Sequence, residues 1–72
     1  MVAKITNKVK ERRKVQNFRQ EDLADLVGVS RQTIIAIENE KYSPSLELGF
    51  KIAKVLNEKV DDIFFIDYDE TT

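Results

Sequence analysis

Apolar positions recur along the chain at helical spacing, broken by short polar turns, and five helices follow from them. Thr6 or Asn7 can cap a first helix reaching about Gln16, with Val9 inward and Lys8, Lys10, Arg12 and Lys14 keeping its surface polar. Asn17 suits a left-handed exit, after which Phe18 can fold back onto the core. The tightest pattern runs from Gln20 to Asn39. Leu23, Ala24 and Val27 share one face of a second helix, and Gly28 stops it where the backbone needs positive φ. Ser30 then caps a third helix whose Ile34 and Ile37 face the same side. After a loop through Pro44, Ser45 caps a fourth helix with an apolar side of Leu46, Leu48, Ile52, Ala53, Val55 and Leu56. Gly49 within it implies close helix packing. Val60, Ile63 and Phe64 define a short fifth helix begun by acids.

The two ends of the chain are less regular. Val2, Ala3 and Ile5 suit either a strand or a frayed tail. Phe65, Ile66 and Tyr68 put apolar and aromatic side chains beyond a helix that already closes the core, so they form an extended strand or a subunit contact. Asp69 to Thr72 reads as a frayed polar tail. The expected fold is therefore all-α, a five-helix domain over residues 1–64 with a C-terminal extension at 65–72 and room for a short terminal strand pair.

Two short helices around a glycine turn, with polar residues opening the second, have the parts of a DNA-binding helix-turn-helix in the right order. A net charge of −1 runs against that use, but the charge is unevenly spread. Residues 1–42 carry +3 and residues 43–72 carry −4, so the half containing the helix-turn-helix is the one that can face phosphates. Seventy-two residues make one small domain, of a size often stabilised by dimerisation. Without cysteine or histidine the chain has neither a disulfide nor the commonest metal ligands and general base. With no Gly-rich phosphate loop either, an enzyme is not expected, nor is a cofactor or metal. No run approaches a membrane span and no signal-peptide pattern opens the chain, which leaves a cytoplasmic protein as the expectation.

With these residues in place, the chain resembles the phage-repressor/Cro-like (XRE-type) helix-turn-helix family of transcriptional regulators over about residues 7–64. The resemblance is carried by Leu23-Ala24, Val27-Gly28-Val29, Ile34 and Ile37. Gln20, Ser30-Arg31-Gln32, Ile37-Glu38-Asn39, Ser43-Pro44-Ser45-Leu46 and Ile52-Ala53 with Leu56 add to it. It implies a compact five-helix domain that binds operator DNA, usually as a two-fold dimer. It also implies a buried ion pair between Arg13 and Glu38, a structural role rather than a DNA contact. The chain departs from the family pattern at Arg19, where a small hydroxyl cap is usual, and at Glu40, where glycine is common.

Geometry selects the candidate reading residues. Arg31, Gln32, Ile35 and Ala36 share the outer face of the third helix. Arg can fork onto guanine, Gln can bond adenine, and Ile35 and Ala36 can touch thymine methyls. Arg31 could instead meet a phosphate, and Ala36 could simply favour the helix. Candidate phosphate contacts surround this face: Arg19 and Gln20 at the start of the second helix, Ser30 and Thr33 at the start of the third, and Asn39, Lys41, Tyr42 and Ser43 beyond its end. Asn39 could equally be a helix cap and Tyr42 a loop anchor. The segment Phe65, Ile66 and Tyr68 is the candidate dimer contact. The leading expectation is a sequence-specific repressor that binds double-stranded DNA at a palindromic operator as a homodimer. The alternative is an antitoxin-type interaction module whose acidic, aromatic C-terminus captures a protein partner.

Overall fold

A computed structural model describes residues 2–69 of the chain. Its elements run β1 (Val2–Asn7), α1 (Val9–Val15), α2 (Gln20–Val27), α3 (Arg31–Glu38), α4 (Leu46–Val55), α5 (Val60–Ile63) and β2 (Phe64–Asp69). The five helices agree with the apolar spacing, but the fold is not purely helical. β1 and β2 form an antiparallel pair, with Val2 opposite Asp69, Ile5 opposite Ile66 and Asn7 opposite Phe64. The N-terminal stretch is thus a strand, and the C-terminal strand takes Phe64 as its first residue. The tail at 70–72 lies outside the described residues.

The core lies where the helical faces converge. Val9 from α1, Leu23 and Ala24 from α2, Ile34 and Ile37 from α3, Ile52 and Ala53 from α4, Leu56 just beyond it and Ile63 from α5 are all buried. Phe18, Val29 and Phe64 pack against this cluster from its margin. Leu46 departs from the expected apolar side of α4. It opens the helix on a different face from Leu48, Ile52 and Leu56 and is largely exposed. Gly49 is buried, but against an aromatic ring rather than another helix. A Cβ there would meet only Phe64 Cε2, at an ordinary 3.8 Å.

One device closes four of the helices. Asn17, Gly28, Glu40 and Asn57 each have positive φ, between 57° and 79°. Around each, an N–H one residue further on donates back to the helix: Phe18 to the Arg13 carbonyl, Val29 to Ala24, Lys41 to Ala36 and Glu58 to Ala53. These six-to-one bonds satisfy carbonyls that the last helical turn would otherwise leave without a donor. Two helix starts are capped by side chains: Ser30 and Ser45 accept from the N–H groups of Thr33 and Leu48. At α1 the cap position falls on Lys8 rather than on Thr6 or Asn7, and Asn7, one residue earlier, accepts from the Val9 N–H.

Asn7 also ties the sheet to the helices. Its Nδ2 donates to the Ile37 carbonyl at 2.9 Å, while Glu40 accepts from the Asn7 N–H and lies 3.2 Å from Lys4 Nζ. The last turn of α3 is therefore fastened to β1.

Candidate nucleic-acid interface

The buried row of α3, Ile34 and Ile37, fixes which way its other residues point. Arg31 and Gln32 are exposed, and Ile35 and Ala36 are half-buried at the side of that exposed face. Among the described residues no carboxylate lies within ion-pair distance of Arg31. Its guanidinium has all five donors available for an outside acceptor. Ser30 is committed to the helix start. Its hydroxyl takes the Thr33 N–H at 3.2 Å and lies 3.0 Å from the Thr33 hydroxyl.

Behind this face a buried ion pair locks α1 to α3. Arg13 Nε donates to Glu38 Oε2 at 2.6 Å and Nη2 to Oε1 at 3.3 Å, while Nη1 donates to the Phe18 carbonyl at 2.8 Å. Gln20 Nε2 donates to the same Glu38 Oε1 at 3.2 Å. The first residue of α2 is thereby held beside the last turn of α3. One amide hydrogen of Gln20 and the unpaired N–H groups of the first turn of α2 remain for an anion.

A cleft of about 510 Å³ opens at this point, lined by Arg13, Arg19, Gln20, Glu21 and Arg31. It joins the start of α2 to the start of α3 and gathers three guanidinium groups around a helix N-terminus. The sequence selected Arg19, Gln20 and Arg31 from this set as DNA contacts and, through the resemblance, Arg13 as half of an ion pair, but not Glu21. A periodicity argument within one helix has no signal for a cleft shared between two.

Arg19 sits in this cleft already paired. Its Nε and Nη2 reach the Asp22 carboxylate at 3.1 Å each, and Nη1 lies 3.5 Å from Glu21 Oε1. The Asp22 carboxylate also accepts the Arg19 N–H at 2.9 Å, which supplies the return half of a capping box; a guanidinium has no acceptor for the other half. The hydrogen bonds from the Arg19 side chain and backbone hold the Asp22 carboxyl below its ordinary range, and the same contact raises Arg19. Any phosphate meeting Arg19 must share it with two carboxylates.

Asn39, Lys41, Tyr42 and Ser43 are exposed at the end of α3 and in the following loop. The residues of the C-terminal strand divide. Ile66 and Tyr68 lie on the sheet face with Ile5, whereas Phe65 lies on the other face, with Lys8 Nζ 5.5 Å from its ring centroid. Among the described residues no group of acidic side chains suits a metal ion, and no helix is long and apolar enough to cross a membrane.

Two helices joined by a left-handed glycine turn, the second showing an open polar face beside a cationic cleft, define the helix-turn-helix class of DNA-binding domains. A helix-turn-helix family model matches residues 9–63. The chain is 59% identical over 64 residues to an uncharacterised HTH-type transcriptional regulator of Methanocaldococcus jannaschii, covering 89% of this chain and 97% of that one. It is 51% identical over 63 residues to another such regulator of Archaeoglobus fulgidus, covering 88% and 89%. A third, from Bacillus subtilis, is 48% identical over 61 residues, covering 85% and 92%. The chain belongs to the phage-repressor/Cro-like (XRE-type) helix-turn-helix family of transcriptional regulators. That family is one of DNA-binding regulators and not an enzyme class.

Proposed function

We propose that this chain is a sequence-specific repressor that binds a palindromic operator as a homodimer and blocks transcription by covering the promoter. The observation that carries this reading is the open face of α3. Arg31 and Gln32 stand exposed at its first turn with no carboxylate against Arg31, directly beside the cationic cleft. In the major groove, Arg31 forks onto guanine O6 and N7 and Gln32 onto adenine N6 and N7, with Ile35 and Ala36 against thymine methyls. Gln20, held by Glu38, and the free N–H groups at the start of α2 take one phosphate. Asn39, Lys41, Tyr42 and Ser43 take phosphates beyond the end of α3, and Thr33 borders the face between the two groups. Ser30 acts chiefly as the helix cap, and Arg19 is the weakest clamp because it is shared with Asp22 and Glu21. Two copies related by a two-fold axis read half-sites about 34 Å apart, one turn of the duplex.

Selection of bound sequences from a random duplex pool tests this directly. It should return an inverted repeat with one helical turn between half-site centres. Arg31→Ala and Gln32→Ala should each cost about 1–3 kcal/mol on the selected site and relax the preference at one position. If both variants bind selected and random duplexes as the parent does, the reading face is misassigned.

A further inference from the structure

The residue that turns the chain out of α3 is a glutamate in the left-handed region, Glu40 at φ 60°, which its residue type does not favour. Its N–H and the Asn7 Nδ2 both donate to the Ile37 carbonyl, at 3.0 and 2.9 Å. The half-buried side chain of Glu40 runs to β1, 33 positions earlier at Asn7. There its carboxylate accepts from the Asn7 N–H at 3.4 Å and lies 3.2 Å from Lys4 Nζ. Asn7 Oδ1 accepts in turn from the Val9 N–H at 3.1 Å, and β1 is paired with β2 from Val2 to Asn7. The exit of α3 is thus braced by the start of α1 and by the sheet together. Lys41, Tyr42 and Ser43 leave this turn exposed, after the Lys41 N–H returns to the Ala36 carbonyl at 2.9 Å.

We propose that Glu40 is a positioning residue for DNA. Latched to β1, it fixes the turn from which Lys41, Tyr42 and Ser43 reach the phosphates. The proposal rests on the phosphate contacts assigned to that loop above and says what aims them. Charge alone gives Glu40 the opposite effect, because a carboxylate beside a phosphate-binding loop repels the backbone. Here Lys4 Nζ offsets that charge and the carboxylate is directed to the sheet. What the latch contributes is order. Loop residues that start from a braced turn lose less conformational freedom on binding than residues that start from a free one. The sheet made by the two ends of the chain therefore takes part in how the loop after α3 holds DNA.

Titrations of selected and random duplexes with the full chain and its variants, with thermal midpoints on the same samples, test the latch. Glu40→Gly removes the carboxylate but suits the left-handed turn, so its midpoint should stay close to the parent's. Its affinity for both duplexes should nonetheless fall about two- to thirtyfold, although a negative charge has been removed. Glu40→Gln keeps an oxygen that can accept the Asn7 N–H and should bind close to the parent. Lys41→Ala identifies the loop as the route. It should weaken both duplexes, and adding Glu40→Gly to it should cost less than the same change in the parent. A merely structural role for Glu40 would instead give losses that add and that follow the thermal midpoint, which overturns the proposal. Glu40→Gly binding as tightly as the parent or tighter, with Lys41→Ala still weak, overturns the latch and leaves the phosphate contacts standing. Lys41→Ala at parent affinity removes those contacts, and the latch with them.

Discussion

At Glu38 three donors meet one carboxylate: Arg13 through two nitrogens and Gln20 through its amide. The side chains of the ion pair are only 8% and 2% exposed, so neither charge has water to fall back on. Glu38→Ala should therefore cost about 3–5 kcal/mol, because it strands a buried guanidinium. The double change Arg13→Met with Glu38→Leu should be close to neutral, since it removes both charges and fills the space. Urea unfolding of the three proteins checks this; a double variant as unstable as Glu38→Ala would show that the pair stabilises in its own right. Asp22 makes the opposite case, a carboxylate at the surface and partly exposed. Its carboxyl is held below its ordinary range by Arg19, so its contribution is complete above the unfolded value of about 3.9 and fades as pH falls through the folded one. Asp22→Asn should flatten the acid side of the stability curve below about pH 4 and leave that curve's shape at pH 6–8 unchanged, which urea midpoints against pH would record. Only the family resemblance pointed to Arg13 and Glu38, which are 25 residues apart and lie 2.6 Å from one another. Nothing in the spacing of either helix distinguishes them from surface charges.

At the level of the element, the helix exits show what a sequence discloses about local structure. Asn17 and Gly28 announce left-handed turns because both residue types tolerate positive φ. Glu40 makes the same turn at φ 60° although its own residue type does not favour it, at the position where the resemblance makes glycine common, and its carboxylate is occupied by Lys4 and the Asn7 N–H. The latch to β1 is a tertiary contact that overrides a local preference. Gly28→Ala separates the backbone cost from packing, since nothing lies within 4 Å of the added methyl. It should cost about 1–2 kcal/mol from left-handed backbone alone, read as a lower thermal midpoint with an unchanged helical signal. A loss well beyond that would mean the turn is strained in some further way. The strands were the least legible elements. β1 pairs with a segment more than fifty residues away, and a two-stranded ribbon has little stability without the helices it rests on. The same strand geometry divides Phe65 from Ile66 and Tyr68. Read as a run they look like one hydrophobic contact, but a period of two sends them to opposite faces.

For the whole molecule, a net charge of −1 and a phosphate-binding surface are compatible only because affinity follows the local count of neutralised phosphates rather than the total charge. The cationic half of the chain contains α3 and the loop after it, and the acidic residues concentrate from residue 43 onward. Arg31 and Lys41 are exposed there, and Arg19 adds a cation it already shares with two carboxylates. With Arg31 on a base, the one to two phosphate contacts of Lys41 and Arg19 per copy should give a dimer a slope of about −2 to −4 in log affinity against log salt. Lys41→Ala should then weaken binding to selected and random duplexes alike and reduce that slope by about 2 per dimer, one phosphate from each copy. Arg31→Ala, if the residue reads a base, should instead reduce the ratio between the two duplexes. Titrations of both variants at several salt concentrations distinguish clamp from reader. A slope near zero in the parent would remove the phosphate clamp altogether, and the exposed face of α3 would then have to serve a protein partner.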